Sequence, residues 1–180
     1  MSNLGAVDLT PPIRSSDKGQ VKAALRIVLA FALAAAVSPA RAEAGGLSRD
    51  QFWLNFGFYS LHFDRSREAH LRDANPGWGL EVRLAPAWSV TAGRFTNSNH
   101  RVSRYVGAYF QPLEILGGRA GVVVGGFDGY PRAFEGGWFP ALIPVMGWER
   151  DRFGLNVALV PSYKDRLHGA LSFQLKVNLR

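Results

Sequence analysis

A histidine and a serine stand at the ends of two apolar alternating runs, where their side chains could act together. His62 ends the first such run, and Ser98 follows Asn97 at the end of another. A histidine beside a serine is the base and nucleophile pair of acyl transfer, and a neighbouring amide can orient or stabilise the reacting groups. We therefore predict a catalytic site made of His62, Asn97 and Ser98. The other three histidines are expected to be solvated loop residues: His70, His100 and His168.

Arginines near these residues could bind phosphate groups, because a guanidinium forms forked hydrogen bonds with phosphate oxygens. They are Arg65, Arg67, Arg72, Arg101 and Arg104. We take Arg65, Arg67 and Arg101 as candidate substrate-binding residues. Asp64, Glu68 and Asp73 partly neutralise the first group, so an ordinary solvated loop is the alternative interpretation.

The N-terminal segment has the three parts of a secretory signal peptide. A basic stretch ending at Arg26 precedes an apolar run at residues 27–37, and Ala40-Arg41-Ala42 follows as a cleavage site of small residues. The apolar run is shorter than the roughly 20 residues that a membrane-spanning helix needs. A buried core helix is the alternative. We expect residues 1–42 to be removed on export.

Composition restricts the classes of function that remain. The chain has 180 residues, of which 47% are hydrophobic and 19% charged, as expected for one folded domain. It has no cysteine, which excludes disulfides and thiolate metal sites. The formal net charge of +7 falls to +4 without the first 42 residues, too little to indicate nucleic-acid binding. Its 20 glycines and 10 prolines favour strands over a helical bundle.

Alternating apolar residues separated by turn residues predict eight strands after residue 50. The expected strands are 52–62, 77–84, 88–97, 104–110, 118–127, 138–148, 153–160 and 168–179. In the first strand we expect Phe58 to share one face with Phe52, Leu54 and Phe56, and Tyr59 to lie on the other.

Eight strands of about ten residues match the smallest transmembrane β-barrels. In lipid no strand edge can stay unpaired, so the sheet must close on itself. A soluble lipocalin-like or sandwich protein is the alternative, but it would carry a polar outer face. We predict an all-β fold, with residues 43–180 forming an eight-stranded antiparallel transmembrane β-barrel in the outer membrane.

Strands five to seven are apolar or glycine on both faces, with Asn156 as the main exception, which predicts a dry slot for a hydrocarbon chain. Gly125 is a candidate lining position, and a tightly packed apolar core is the alternative. Pro140, Pro144 and Pro161 cannot donate to the strand ladder, so hydrogen bonding between strands six and seven should be weakened there. In a membrane such a seam could admit lipid laterally, which makes Pro144 and Pro161, together with Gly125, candidate substrate-binding residues; a simple bulge is the other interpretation.

Five short motifs occur in the order found in a known family of barrels. They are Tyr59-Ser60-Leu61-His62-Phe63, Pro76-Gly77-Trp78-Gly79-Leu80, Phe95-Thr96-Asn97-Ser98-Asn99, the Phe139 to Val145 run with its two prolines, and Leu159-Val160-Pro161-Ser162. With these motifs the chain resembles the lipid A palmitoyltransferase (PagP) family, from His62 to Leu179. His62 and Ser98 take the places of the family's active-site histidine and serine, and Asn97 stands where the family has aspartate.

The resemblance implies transfer of an acyl chain, typically palmitate, from a phospholipid donor to a lipid A acceptor. It also implies an outer-membrane monomer that uses no metal or soluble cofactor. Two alternatives remain open. A non-catalytic structural or surface barrel is favoured by Asn97, which cannot carry the negative charge of an aspartate. A lipid A or phospholipid deacylase would use the same serine, histidine and asparagine for hydrolysis.

Overall fold

The protein is described here by a computed structural model that covers residues 47–63, 71–162 and 168–180. Its eight strands are β1 Phe52–His62, β2 Ala74–Ala85, β3 Trp88–Thr96, β4 Val102–Ile115, β5 Gly118–Phe127, β6 Phe139–Arg150, β7 Phe153–Val160 and β8 Ala170–Asn178. Each strand pairs antiparallel with the next, and β8 pairs with β1 to close the barrel. The predicted eight-stranded antiparallel barrel is confirmed. The predicted signal peptide lies outside the described residues.

The outer surface of the barrel is apolar across its middle. Leu80 on β2, Val106 on β4 and Leu175 on β8 each expose more than a third of their surface. Others on the same outward face are Leu54, Phe56, Phe110, Leu142 and Leu159. An exposed apolar belt of this extent is typical of a barrel that spans a membrane, whereas a soluble barrel carries polar residues there.

Helical structure among the described residues consists of two single 3-10 turns, Arg49–Gln51 and Phe134–Gly136. In the described ranges, neither is long and apolar enough to cross a membrane.

A β-bulge at Gly57 changes which residues of β1 face the lumen. Gly57 has a φ of +62°, and between Phe56 and Tyr59 the strand has one residue more than β8 has between Leu175 and Phe173. Phe58 therefore turns inward and stacks on Phe95 with ring centroids 5.1 Å apart, while Tyr59 is exposed. The predicted faces of Phe58 and Tyr59 are wrong because strict alternation ignores the extra residue. The shift also turns His62 into the lumen.

Two strands are longer than predicted because a proline falls where their pairing is irregular. β2 begins at Ala74, and its Pro76 lies opposite the bulge in β1. β4 continues to Ile115, and its Pro112 lies in the register shift between Phe110 and Leu113. A proline has no N–H to give to the ladder, so an irregular position accommodates it at low cost.

We call the end of the barrel that carries His62 and Ser98 its outer end, and the opposite end its inner end. The outer half of β6, from Phe139 to Pro144, has no ladder with β7. Pairing runs from Arg150 opposite Phe153 to Val145 opposite Ala158 and stops there. Pairing with β5 continues through Pro144 and Pro140 as far as Phe139. A proline has no backbone N–H, and the intact ladder with β5 shows that the missing hydrogen bonds are those on the side of β7. The predicted weakening between strands six and seven is confirmed.

Candidate functional site

The inner half of the lumen is filled by a network of buried charges. Lys176 and Glu81 are each only 1% exposed at the side chain, and Lys176 Nζ lies 3.1 Å from Glu81 Oε1. Glu149 accepts hydrogen bonds from Arg83 and Arg119, and its Oε1 lies 2.6 Å from Lys176 Nζ. Arg119 and Glu149 belong to β5 and β6, so the expectation of two apolar faces on these strands is wrong for their inner ends.

The outer half of the lumen contains a cavity of about 430 Å³. Much of its wall is aromatic, with rings following one another around the barrel at centroid distances of 5.1 to 6.3 Å. These rings belong to Phe58, Phe95, Tyr105, Phe127 and Phe139. Aliphatic and small residues complete the wall, among them Ile143, Val145, Ala158, Val160 and Ala170. An open apolar space agrees with the predicted slot and disagrees with a fully packed core.

Gly125 is buried in the cavity wall, as predicted, but a glycine is needed there because the backbone of β4 lies too close for a Cβ. A Cβ at this position would lie 2.3 Å from the carbonyl oxygen of Val106 on β4. Gly79 and Gly93 make room for the ring of Tyr105, because a Cβ at Gly79 would lie 2.0 Å from its hydroxyl oxygen. Gly125 therefore lets β5 lie close to β4, and Gly79 and Gly93 let the Tyr105 ring lie against the barrel wall.

His62 lines the cavity and pairs with a carboxylate that the sequence analysis assigned to the charged loop. Its side chain is 6% exposed, and Nδ1 lies 3.2 Å from Asp73 Oδ1. An ionised carboxylate only accepts hydrogen bonds, so the proton of the neutral imidazole lies on Nδ1 and Nε2 is an acceptor. The Ser60 amide donates to the Asp73 carbonyl at 2.8 Å, which fixes Asp73 beside the end of β1.

Ser98 lines the same cavity from the loop after β3. Its carbonyl oxygen accepts a hydrogen bond of 3.1 Å from the amide of Arg72, the residue before Asp73. The loops that carry Ser98 and Asp73 are thereby joined at the outer end of the lumen. Two further serines line the cavity, Ser60 and Ser172, and Ser60 accepts a 2.9 Å hydrogen bond from Asn75.

Asn97 is fully buried beside the cavity but does not form part of its wall. Its Nδ2 donates to Ser103 Oγ and to the Gly129 carbonyl, both at 2.8 Å. Its Oδ1 accepts from the amides of Asn99 and Arg101, at 2.9 and 3.1 Å. The side-chain amide is thus fully engaged in holding the loop that carries Ser98. The structure does not bring Asn97 together with His62 and Ser98 in the cavity.

The remaining predicted substrate-binding residues lie in three places: the cavity wall, the outer surface, and a segment outside the described residues. Pro161 lines the cavity, whereas Pro144 is exposed on the outward face of β6 and forms no part of the wall. Arg101 is exposed in its loop, away from the cavity wall. Arg65 and Arg67 lie outside the described residues.

The loop between β5 and β6 adds a residue that the sequence analysis missed. Tyr130 lines the cavity, and burial raises the pKa of its hydroxyl to about 12 despite a hydrogen bond with Ser103. Tyr130 is therefore neutral at physiological pH and offers a hydroxyl rather than a charge. Across residues 47–63, 71–162 and 168–180, no three histidine, aspartate or glutamate side chains lie close enough to hold a metal ion.

No protein-family model and no curated protein sequence matches this chain. Among solved structures, it is similar to the solution NMR structure of the de novo designed protein TMB2.3. The two chains are 13% identical, the match covers 73% of this chain and 95% of the design, and the TM-score is 0.45. The pairing of β1 with β8 makes the fold a closed, eight-stranded antiparallel β-barrel.

Proposed function

We propose that this chain is an outer-membrane acyltransferase that moves a palmitate-like acyl chain from a phospholipid to lipid A. The observation that carries the proposal is the apolar cavity of about 430 Å³ with the His62–Asp73 pair and Ser98 at its outer end. A hydrocarbon chain has no hydrogen-bonding groups, so it suits walls of phenylalanine and aliphatic residues. Its ester group would then lie among the polar residues at the outer end.

Each residue of the site has a role in the transfer. His62 Nε2 accepts the proton of a lipid A hydroxyl as the hydroxyl oxygen attacks the ester carbonyl of the phospholipid. Asp73 keeps the imidazole in the tautomer that leaves Nε2 free and stabilises the imidazolium. Ser98 donates a hydrogen bond to the carbonyl oxygen, which becomes negative. The bond between the acyl carbonyl carbon and the glycerol oxygen breaks, the proton passes from His62 to that glycerol oxygen, and a lysophospholipid leaves while the acyl chain stays on lipid A.

The unpaired outer half of β6 offers a path for the donor lipid. The gap between β6 and β7 begins above Val145 and Ala158, and both residues line the cavity. Pro161 lines the cavity at the same side. A lipid in the surrounding membrane can move its acyl chain through this gap without leaving an apolar environment, which avoids exposing the chain to water.

Mass spectrometry of lipid A from cells that do and do not express the protein tests this proposal. We expect expression to add one acyl chain, and His62→Ala and Ser98→Ala to abolish the addition. Ser172→Ala is the matched control, because Ser172 lines the same cavity and has no role in the transfer. A loss of mass would instead identify a deacylase. Unchanged lipid A, with the folded protein present in the outer membrane, would contradict the proposal and favour a structural barrel.

A further inference from the structure

Two arginines lie side by side on the lipid-facing surface, near the end of the barrel that carries His62 and Ser98. Arg94 on β3 and Arg104 on β4 are direct cross-strand partners and both point outward, between inward-facing neighbours. Trp78, the β2 partner of Arg94, flanks the pair on one side. Trp138 flanks it on the other, with its ring 5.8 Å from the Arg104 guanidinium carbon. We call these four residues the Trp–Arg–Arg–Trp row.

The row is built to keep Arg104 extended along the barrel surface. Trp138 lies across Gly126 on β5, where a Cβ would be 3.2 Å from the indole, and so reaches Arg104 two strands away. Asp128 accepts hydrogen bonds from the Arg104 Nε at 2.7 Å and from its backbone amide at 2.5 Å. The Arg104 side chain is nevertheless 66% exposed. Its position is fixed while much of its guanidinium stays available.

The charge of the row is only partly balanced. Like charges directly opposite each other on neighbouring strands are destabilising. Asp128 compensates one of the two arginines. Arg94 is exposed and has no hydrogen-bond or ion-pair partner within the part of the chain that the structure describes. Among residues 47–63, 71–162 and 168–180, one positive charge of the pair therefore has no acidic partner, and the Arg94 guanidinium faces the membrane.

We propose that Arg94 and Arg104 form a binding site for the phosphate group of a membrane lipid at the outer surface of the barrel. Tryptophans of transmembrane barrels lie at the membrane interface, the depth at which lipid phosphates are found. Guanidinium groups bind phosphate in forked pairs, and two adjacent forks can contact several oxygens of one phosphate. A lipid held there has its acyl chains against the apolar belt below the row, which a free phosphate ion lacks.

This site is separate from the lumen and does not depend on acyl transfer. It requires only that the apolar belt lies in a membrane, so its test is a binding measurement on the folded protein. Failure of the acyltransferase proposal would leave the phosphate site standing, and absence of the phosphate site would leave the cavity chemistry unchanged.

Lipid binding by the refolded full chain in neutral detergent micelles can be counted by native mass spectrometry. The probe is lipid A carrying both phosphates, compared with the same lipid after removal of both phosphates and with inorganic phosphate alone. The variants are Arg94→Gln, Arg104→Gln and the double variant. Arg150→Gln is the matched control, because Arg150 is an exposed arginine at the opposite end of the barrel. Arg94→Lys with Arg104→Lys keeps both charges and removes the forks.

We expect the double glutamine variant to bind phosphorylated lipid A at least about tenfold more weakly, with Arg150→Gln unchanged. The lysine pair should lie between the original protein and the glutamine pair. Equal binding of the dephosphorylated lipid would overturn the proposal, as would an equal loss in Arg150→Gln. Tight binding of inorganic phosphate alone would overturn the assignment to a lipid. Heat-dependent migration of each variant on a detergent gel confirms that the barrel is folded.

Discussion

Asp73 Oδ1 lies 3.2 Å from Nδ1 of His62, and this pair joins the end of β1 to the start of β2 at the outer end of the lumen. The carboxylate that orients the histidine therefore does not come from the residue beside Ser98. In the lipid A palmitoyltransferase family that the chain resembles, an aspartate stands at the position of Asn97. In this chain the carboxylate next to the imidazole is that of Asp73, whereas Asn97 holds the loop that carries Ser98.

Replacing Asp73 by asparagine removes that charge while keeping the shape of the side chain. An amide can also donate to Nδ1, which would move the proton to Nε2 and remove the base. If the proposed transfer occurs, we expect its kcat to fall about 100-fold with KM unchanged, measured with the purified protein and a labelled phospholipid. Asp73→Glu should recover part of the rate. A rise in KM with an unchanged kcat would contradict the role of Asp73 in positioning His62.

Converting Asn97 to the family's aspartate should damage the protein rather than improve it. The change replaces both Nδ2 donors by an oxygen that faces the Gly129 carbonyl and the Ser103 hydroxyl. A buried, poorly satisfied carboxylate costs about 1–3 kcal/mol in the free energy of unfolding. Urea unfolding in detergent micelles measures this loss, with Asn99→Asp in the same loop as the control. An Asn97→Asp variant with an unchanged urea midpoint and higher activity would contradict this view.

Removing one member of the charge network at the inner end of the lumen should destabilise the barrel, because its partner stays buried without a counter-charge. Lys176→Met leaves the fully buried Glu81 without its main partner. We expect the free energy of unfolding to fall by about 3–5 kcal/mol. Adding Glu81→Gln should restore part of the loss, because the buried side chain at position 81 then carries no charge that needs a partner. Tryptophan fluorescence during urea unfolding measures the change, since Lys176 Nζ lies 4.9 Å from the Trp53 ring centroid. Equal urea midpoints for the single variant and the original protein would contradict the expected fall in the free energy of unfolding.

A larger side chain at Ala158 should shorten the acyl chain that is transferred in the proposed reaction. Ala158 lines the cavity from β7 and already has a Cβ, so Ala158→Phe extends into the open space. Each methylene group that loses its burial costs about 0.8 kcal/mol, roughly a fourfold loss in preference. Competition between phospholipids of different acyl lengths, read as product masses, should shift to shorter chains. Ala92→Phe on the exposed outward face is the control. An unchanged preference would show that the acyl chain lies elsewhere.

Most of the barrel could be predicted from alternation alone, and the site could be predicted only in part. In β8 the expected inward residues, from Ser172 to Asn178, all face the lumen, because the strand has no interruption. In β1 a single bulge at Gly57 reversed the later part of the strand, and period-two reasoning gives no sign of it. That reversal brings His62 inward, so its side chain lies in the cavity wall for a reason that the sequence did not reveal.

Asp73 was missed for a related physical reason. The proline at position 76 made residues 63–76 look like one charged loop, because a proline usually ends a strand. In the structure β2 starts at Ala74, and Asp73 is therefore held beside β1 by the Ser60 amide. The ion pair between Glu149 and Lys176 joins β6 to β8, which are not neighbours in the sequence. A single sequence carries no signal for such contacts beyond the charges themselves.

Closing the gap between β6 and β7 should stop acyl transfer if the donor lipid passes through it. Pro144 and Leu159 would be the next pair above Val145 and Ala158 if the ladder continued, and both are exposed outward. The chain has no cysteine, so Pro144→Cys with Leu159→Cys introduces a single possible disulfide. We expect activity to be lost on oxidation and recovered on reduction, as measured by acyl transfer before and after adding a thiol.

The control is a second cysteine pair at Val124 and Leu142, which are already partners in the regular β5–β6 ladder. Its oxidation leaves the β6–β7 gap open, so activity should persist because the barrel wall is unchanged there. A disulfide at 144 and 159 that forms completely, as shown by the mass of the protein, yet leaves the rate of transfer unaltered would mean that the lipid does not use this gap. Access from the outer end of the lumen, past Ser98 and His62, would then be the remaining path for the acyl chain, and both residues line that end of the cavity.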